Sequence, residues 1–154
     1  MYRSLSLVAV LLLAATASAS AQSAGPKLPA PMIRFLDVWN NGNWAAGENL
    51  FTPDAMIHYG GHTFPPSADV PKRWRAAFPD FHFAVEDMLI DGDKVALRLT
   101  FTGTQQGAFW GHPPEGKHIQ VSQTMICKIQ GDQLKECWED WDEIGMRRQL
   151  GLIP

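Results

Sequence analysis

Hydrophobic and polar positions change period partway along the chain. Through residues 30–78 they suit helices with one short strand among them. Ile33, Phe35, Leu36, Val38 and Trp39 mark a helix over residues 30–40. Asn40-Asn41-Gly42-Asn43 ends it, because Asn and Gly accept the left-handed backbone at a helix end. A second short helix is expected over residues 44–51, stopped by Thr52-Pro53-Asp54, and then a short strand over residues 55–59, broken by Gly60-Gly61. Ser67 can cap a third helix over residues 68–78, in which Pro71 is tolerated because it falls in the first turn. From Asp80 the period becomes two. Phe81, Phe83 and Val85 alternate with His82 and Ala84, and Asp91-Gly92-Asp93 supplies a hairpin turn. Val95, Leu97, Leu99 and Phe101 alternate in the next strand, which Gly103 interrupts or bulges. A loop over residues 107–116 carries Phe109, Trp110 and Pro113-Pro114. Two strands follow, over residues 117–129 and 134–142, and a short helix over residues 143–150.

Helices first and an antiparallel meander afterwards predict an α+β domain with helices packed on one face of a curled sheet. The last strand draws attention to itself. Period two places Cys137, Glu139 and Trp141 on one face, and Glu136, Trp138, Asp140 and Asp142 on the other. Carboxylates beside indoles fit two pictures: an exposed acidic edge, or a desolvated acid whose pKa rises into the range of proton transfer. Asp142 is placed to cap the final helix through the Gly145 N–H.

The amino terminus departs from both periods. Arg3, an apolar run over residues 7–15 and Ala19-Ser20-Ala21 read as a secretory signal peptide over residues 1–21, too short to span a membrane. Residues 22–31, rich in Pro, Ala and Ser, form a lead-in, and residues 32–154 the domain. The expected mature chain is therefore exported, periplasmic or secreted, and free of a membrane segment. Cleavage removes one basic residue and no acidic one, taking the net charge from −3 to −4. With no basic run, nucleic acid is excluded as a partner. Six Trp and eight Phe are a large aromatic load for a small chain; most belong to the core, and some could line an apolar pocket.

Cys127 and Cys137 flank the turn at Gly131-Asp132. In a hairpin centred there they face each other, so a cross-strand disulfide and a pair of small buried hydrophobes are both open. The five histidines do not fall at close ligand spacing, so no metal site is expected, and neither a phosphate loop nor a nucleophile elbow is present.

Several stretches together resemble the SnoaL-like polyketide cyclases, or ester cyclases. They are Ala77-Phe78-Pro79-Asp80, Glu86-Asp87, Gly92-Asp93-Lys94-Val95, Arg98, Gly103-Thr104, Gly107, Gly111, Pro113, Gly116-Lys117, and the tail Glu136, Trp138, Asp142 and Gln149-Leu150-Gly151. The resemblance implies the cone-shaped fold of the nuclear transport factor 2-like superfamily, in which a curved sheet wraps helices around a deep apolar pocket. It also implies a homodimer and cofactor-free closure of a ring by intramolecular aldol chemistry, with a carboxylate on the final strand moving the proton. That carboxylate falls on Glu139, a Glu where the family has Asp. Gln123 keeps one polar pocket position, Met125 stands where the cyclases have histidine, His58 matches a polar residue on the first short strand across a one-residue gap, and Trp39 matches the aromatic that ends the first helix.

The chemistry expected is acid/base work on a small apolar carbonyl compound, with Glu139 as base and His58 and Gln123 orienting or donating. Trp39, Met125, Trp110 and Trp141 would shape the pocket, and Arg98 would either pair with a pocket acid or stay solvated. The alternative is an exported protein that binds an apolar small molecule without chemistry, since one scaffold hosts both.

Overall fold

The computed structural model describes residues 27–154, so the expected signal segment and the start of the lead-in lie outside the described residues. The elements are α1 (Ala30–Asn41), a 3-10 turn (Trp44–Gly47), β1 (Phe51–Tyr59), β2 (His62–Phe64), α2 (Asp69–Ala77), β3 (His82–Asp91), β4 (Lys94–Thr104), β5 (His118–Gln130), β6 (Gln133–Trp141) and α3 (Glu143–Gln149). The six strands form one curved sheet in the order β2-β1-β6-β5-β4-β3. Every pairing is antiparallel except β1 with β6. This is the expected α+β architecture.

β5 shows most plainly why these residues form this sheet. Ile119, Val121, Gln123, Met125 and Cys127 point inward and are buried, while His118, Gln120, Ser122, Thr124 and Ile126 point outward. The inward face meets α1 through Met32 and Phe35, and Val38 on the same side of the helix lines the cavity. The end of α1 is fixed to the edge strand. Asn40 Nδ2 donates to the Phe83 carbonyl at 3.0 Å, and the Phe83 N–H donates to Asn40 Oδ1 at 2.7 Å. Arg75 of α2 donates to the carbonyls of Trp39 (3.0 Å) and Asn40 (2.9 Å), satisfying acceptors that a helix end leaves open.

Three expectations change. Residues 44–51 are not one helix: a single 3-10 turn ends at Gly47, and Phe51 already begins β1. Pro53 lies within β1, where the register with β6 shifts between Phe51 and Met56, and a strand can absorb a proline at such an irregularity. The Gly60-Gly61 break is a tight turn into β2, which pairs back on β1. Gly103 does not interrupt β4, which runs through it paired with Ile119. A Cβ at Gly103 would stand 3.0 Å from Phe78 Cβ, so the glycine serves close packing, and the bulge falls in β3 between Val85 and Asp87. Cys127 and Cys137 are directly paired, with Cα atoms 4.2 Å apart, and are joined as a disulfide. Among the described residues, no helix is long and apolar enough to cross a membrane.

Candidate functional site

Between the inner face of the sheet and the helices lies a cavity of about 1070 Å³, at the large end for small-molecule sites. Its walls are aromatic: Trp39 from α1, Trp74 from α2, Phe83 from β3, Phe101 from β4 and Trp141 from β6 all line it. Trp39 meets Phe81 and Phe83 at centroid distances of 5.3 and 5.4 Å, and Trp74 meets Phe101 edge-on at 5.6 Å. Such tilted and edge-on packing fixes the ring planes.

Among the described residues, Glu139 and Gln123 in the inner wall have no side-chain hydrogen-bond partner in the protein. Glu139 on β6 is half-buried, and its accessible part opens into the cavity. No side chain among the described residues hydrogen-bonds or pairs with it. Burial alone pushes its carboxyl up to about 7, because the apolar surroundings disfavour the charged form. Gln123 on β5 lines the same cavity and is 5% exposed, and none of its hydrogen-bonding capacity is used by the described residues. The amide is not sealed in the core, since it is absent from the buried polar atoms that lack a partner among the described residues, and both groups open on the cavity, where a ligand can meet them.

The cavity mouth carries a paired polar cluster. Tyr59 donates its hydroxyl to Glu143, and Arg147 Nε donates to the other oxygen of Glu143 at 2.7 Å. These two donors hold the Glu143 carboxyl below the usual carboxylate range, while desolvation first and then Glu143 raise the Tyr59 phenol. Tyr59 therefore stays protonated and Glu143 ionised. Asp142 Oδ1 accepts from the Gly145 N–H at 2.8 Å and starts α3, which carries Glu143 and Arg147 to the mouth.

Of the expected site residues, Glu139, Gln123, Trp39, Trp110 and Trp141 line this one cavity. His58 does not join them. Ile57 and Tyr59 of β1 face the cavity, so period two turns His58 to the outer face. There its Nε2 lies 2.8 Å from Glu136 Oε1, its Nδ1 lies 2.9 Å from Thr63 Oγ1, and its ring stacks on Trp138 at 5.1 Å. Arg98 is exposed on the outer face of β4, between the inward Leu97 and Leu99, and takes no part in the pocket. Met125 is fully buried in the core and does not line the cavity. Tyr59, Glu143 and Arg147 were not among the expected site residues. Tyr59 follows Ile57 at strand period, and Glu143 and Arg147 have the i,i+4 spacing of a helical ion pair. Among the described residues, no group of three or more His, Cys, Asp or Glu side chains could hold a metal ion.

The chain belongs to the SnoaL-like polyketide cyclase family, whose family model matches residues 31–150. The fold is the cone of the nuclear transport factor 2-like group. AclR from Streptomyces galilaeus, provisionally described as a hydroxylase, superimposes with a TM-score of 0.74 at 23% identity, over 81% of this chain and 96% of that one. TsrD from Streptomyces laurentii gives 0.70 at 25% identity, over 80% and 93%. IdmH from Streptomyces antibioticus, provisionally described as a polyketide cyclase, gives 0.67 at 27% identity, over 79% and 96%. The sequence has no match among curated proteins.

Proposed function

We propose that the protein carries out cofactor-free acid/base chemistry of the cyclase or isomerase type on a small apolar carbonyl compound, with Glu139 moving the proton. The observation that carries this is the unpaired Glu139 carboxyl, pushed up to about 7 inside an aromatic cavity. A general base works best when its pKa lies near the working pH. Ionised Glu139 takes a proton from the carbon next to the carbonyl, so the C–H bond breaks and its electron pair passes into an enolate. The Gln123 amide donates to the enolate oxygen. The enolate carbon then attacks a second carbonyl of the same molecule, closing a ring and leaving an alkoxide that takes the proton back from Glu139, or the enolate recovers that proton from Glu139 at another carbon; either way the carboxylate is regenerated. The aromatic walls exclude water, which strengthens each of these interactions.

Glu139→Gln keeps the shape and removes the base. It should abolish turnover while leaving binding of the carbonyl compound intact, and full activity in that variant would contradict the proposal. The second reading, a binding protein without chemistry, draws support from Met125 and from the outward turn of His58, which leave Glu139 without a histidine beside it. That reading expects ligand affinity unchanged in Glu139→Gln and lost on truncating Trp39.

Export and dimerisation complete the proposal. The Cys127–Cys137 disulfide supports an oxidising compartment. The outer face of the sheet supports a homodimer. His58, Trp138, Ile126, Ala96 and Leu89 occupy one row across five strands. Leu89 is 71% exposed, and Met56 and Ile126 are exposed too. Rows of mixed charge border this stripe, with Glu136, Lys128 and Lys94 on one side and Asp140, Arg98 and Asp87 on the other. An apolar stripe with a polar rim of both signs suits a second copy of the same surface.

A further inference from the structure

Five side chains close a ring at the mouth of the cavity, and all five line it. Tyr59 donates to Glu143, and Glu143 Oε1 accepts from Arg147 Nε and Nη2 at 2.7 and 2.6 Å. The Arg147 guanidinium lies 4.3 Å over the Trp110 ring. Trp110 is nearly parallel to Trp141, at 6.3 Å and 16°. Trp141 in turn stacks on Tyr59 at 5.6 Å and 7°. The ring joins β1, the loop after β4, the end of β6 and α3, which are far apart in sequence.

Trp110 is the unusual member. Its φ is +49°, a left-handed conformation that a bulky side chain rarely adopts, and it is 40% exposed. Strain of that kind persists only where the surroundings hold it. Here a tight turn holds it: Phe109 and His112 exchange backbone hydrogen bonds at 3.0 and 2.9 Å around Trp110-Gly111, and the turn lays the indole against the Trp141 ring and the Arg147 guanidinium. Glu139 and Trp141 are two residues apart on the same face of β6.

Resting on the assignment of Glu139 as the proton-transfer group, we infer that Trp110 is a positioning residue for it: the Trp110–Arg147 cover, laid across Trp141, keeps water from the Glu139 end of the cavity. The charged groups that face the cavity are Glu48 beyond the 3-10 turn, Lys72 of α2, and the Glu143–Arg147 pair of α3. Tyr59 and Gln123 are its polar, uncharged lining. None of these bonds to Glu139, and its shift comes from burial alone. Admitting water is therefore enough to bring the carboxyl back toward the ordinary glutamate value of 4.5. The cover can be removed without touching the carboxylate.

The test is a carbon-13 NMR titration of the Glu139 carboxyl, assigned by its loss in Glu139→Gln. The expected results are a midpoint of about 7 in the wild type, a fall of about one unit or more in Trp110→Ala, and little change in Trp110→Phe, which restores the flat cover. Arg147→Met removes the other half of the cover and should lower the midpoint in the same direction, which keeps the test open if Trp110→Ala does not fold. An unchanged midpoint in a folded Trp110→Ala or Arg147→Met overturns the inference and leaves the Glu139 assignment standing. A wild-type midpoint at the ordinary glutamate value overturns both.

Discussion

Glu139 and Met125 sit directly opposite each other across the β5–β6 ladder, and only Glu139 reaches the cavity. Met125 is wholly in the core. A polar residue at position 125 would bond to the carboxylate or charge beside it, and either would set its pKa. The methionine leaves desolvation as the only influence. The cavity consequently holds an acid whose two protonation states are close in energy near neutral pH.

This arrangement gives stability a distinctive pH dependence. Below pH 4.5 Glu139 is protonated in both folded and unfolded chains. As pH rises from 4.5 to about 7, the unfolded chain ionises first, so the folded state loses stability across that window and then levels off. The loss is at most roughly 3 kcal/mol, reduced by whatever water enters the cavity. Glu139→Gln lacks this contribution. Urea unfolding should show the variant gaining on the wild type between pH 5 and pH 8, whereas a constant difference would contradict the burial of the charge.

Gln123 should show the opposite balance between stability and activity. Replacing it with Met removes an amide that opens on the cavity and bonds to no protein side chain, and should stabilise the fold only slightly, by less than about 1 kcal/mol. It also removes the proposed donor to the enolate, slowing proton transfer by about 100-fold. Thermal unfolding and turnover measured on the same sample check both. A stabilised variant with full activity would take Gln123 out of the mechanism.

The disulfide should contribute to folding independently of the cavity. Its cysteines are 10 residues apart, and closing a loop of that length stabilises by about 2–3 kcal/mol in the chain-entropy picture. Unfolding with and without a thiol reductant should differ by that amount. No difference, with two free thiols found in the untreated protein, would contradict the bond.

The outer stripe makes a prediction about assembly. Leu89→Arg with Ile126→Arg places charge at two exposed positions of the row, neither of which lines the cavity. Light scattering should show a dimer in the wild type and a monomer in the double variant, with the cavity chemistry retained. A monomeric wild type would contradict the proposed interface.

Much of this architecture was legible where one face of an element is apolar. The alternation in residues 95–101 marked β4, and Asp91-Gly92-Asp93 marked the turn that pairs it with β3. Asp142 was readable as a helix cap because its side chain acts within one turn. β1 was harder to read, since Pro53 and a register shift hide its first half. The same shift explains His58: a one-residue uncertainty in a strand exchanges inside for outside. Arg98 carried its own signal, because two inward leucines flank it. Strand alternation put Glu139 and Trp141 on one face, while Gln123 and the role of Glu139 came from the family resemblance. Tyr59, Glu143 and Arg147 escaped because they meet only when β1 and α3 converge at the mouth.

The central claim is that Glu139 moves a proton at a carbon beside a carbonyl. Exchange of the central C–H of a neutral 1,3-diketone with deuterated water, followed by NMR as a function of pH, tests it most directly. The account predicts protein-dependent exchange that rises with a midpoint near 7 and disappears in Glu139→Gln. Exchange of equal rate and the same pH profile in Glu139→Gln would contradict it.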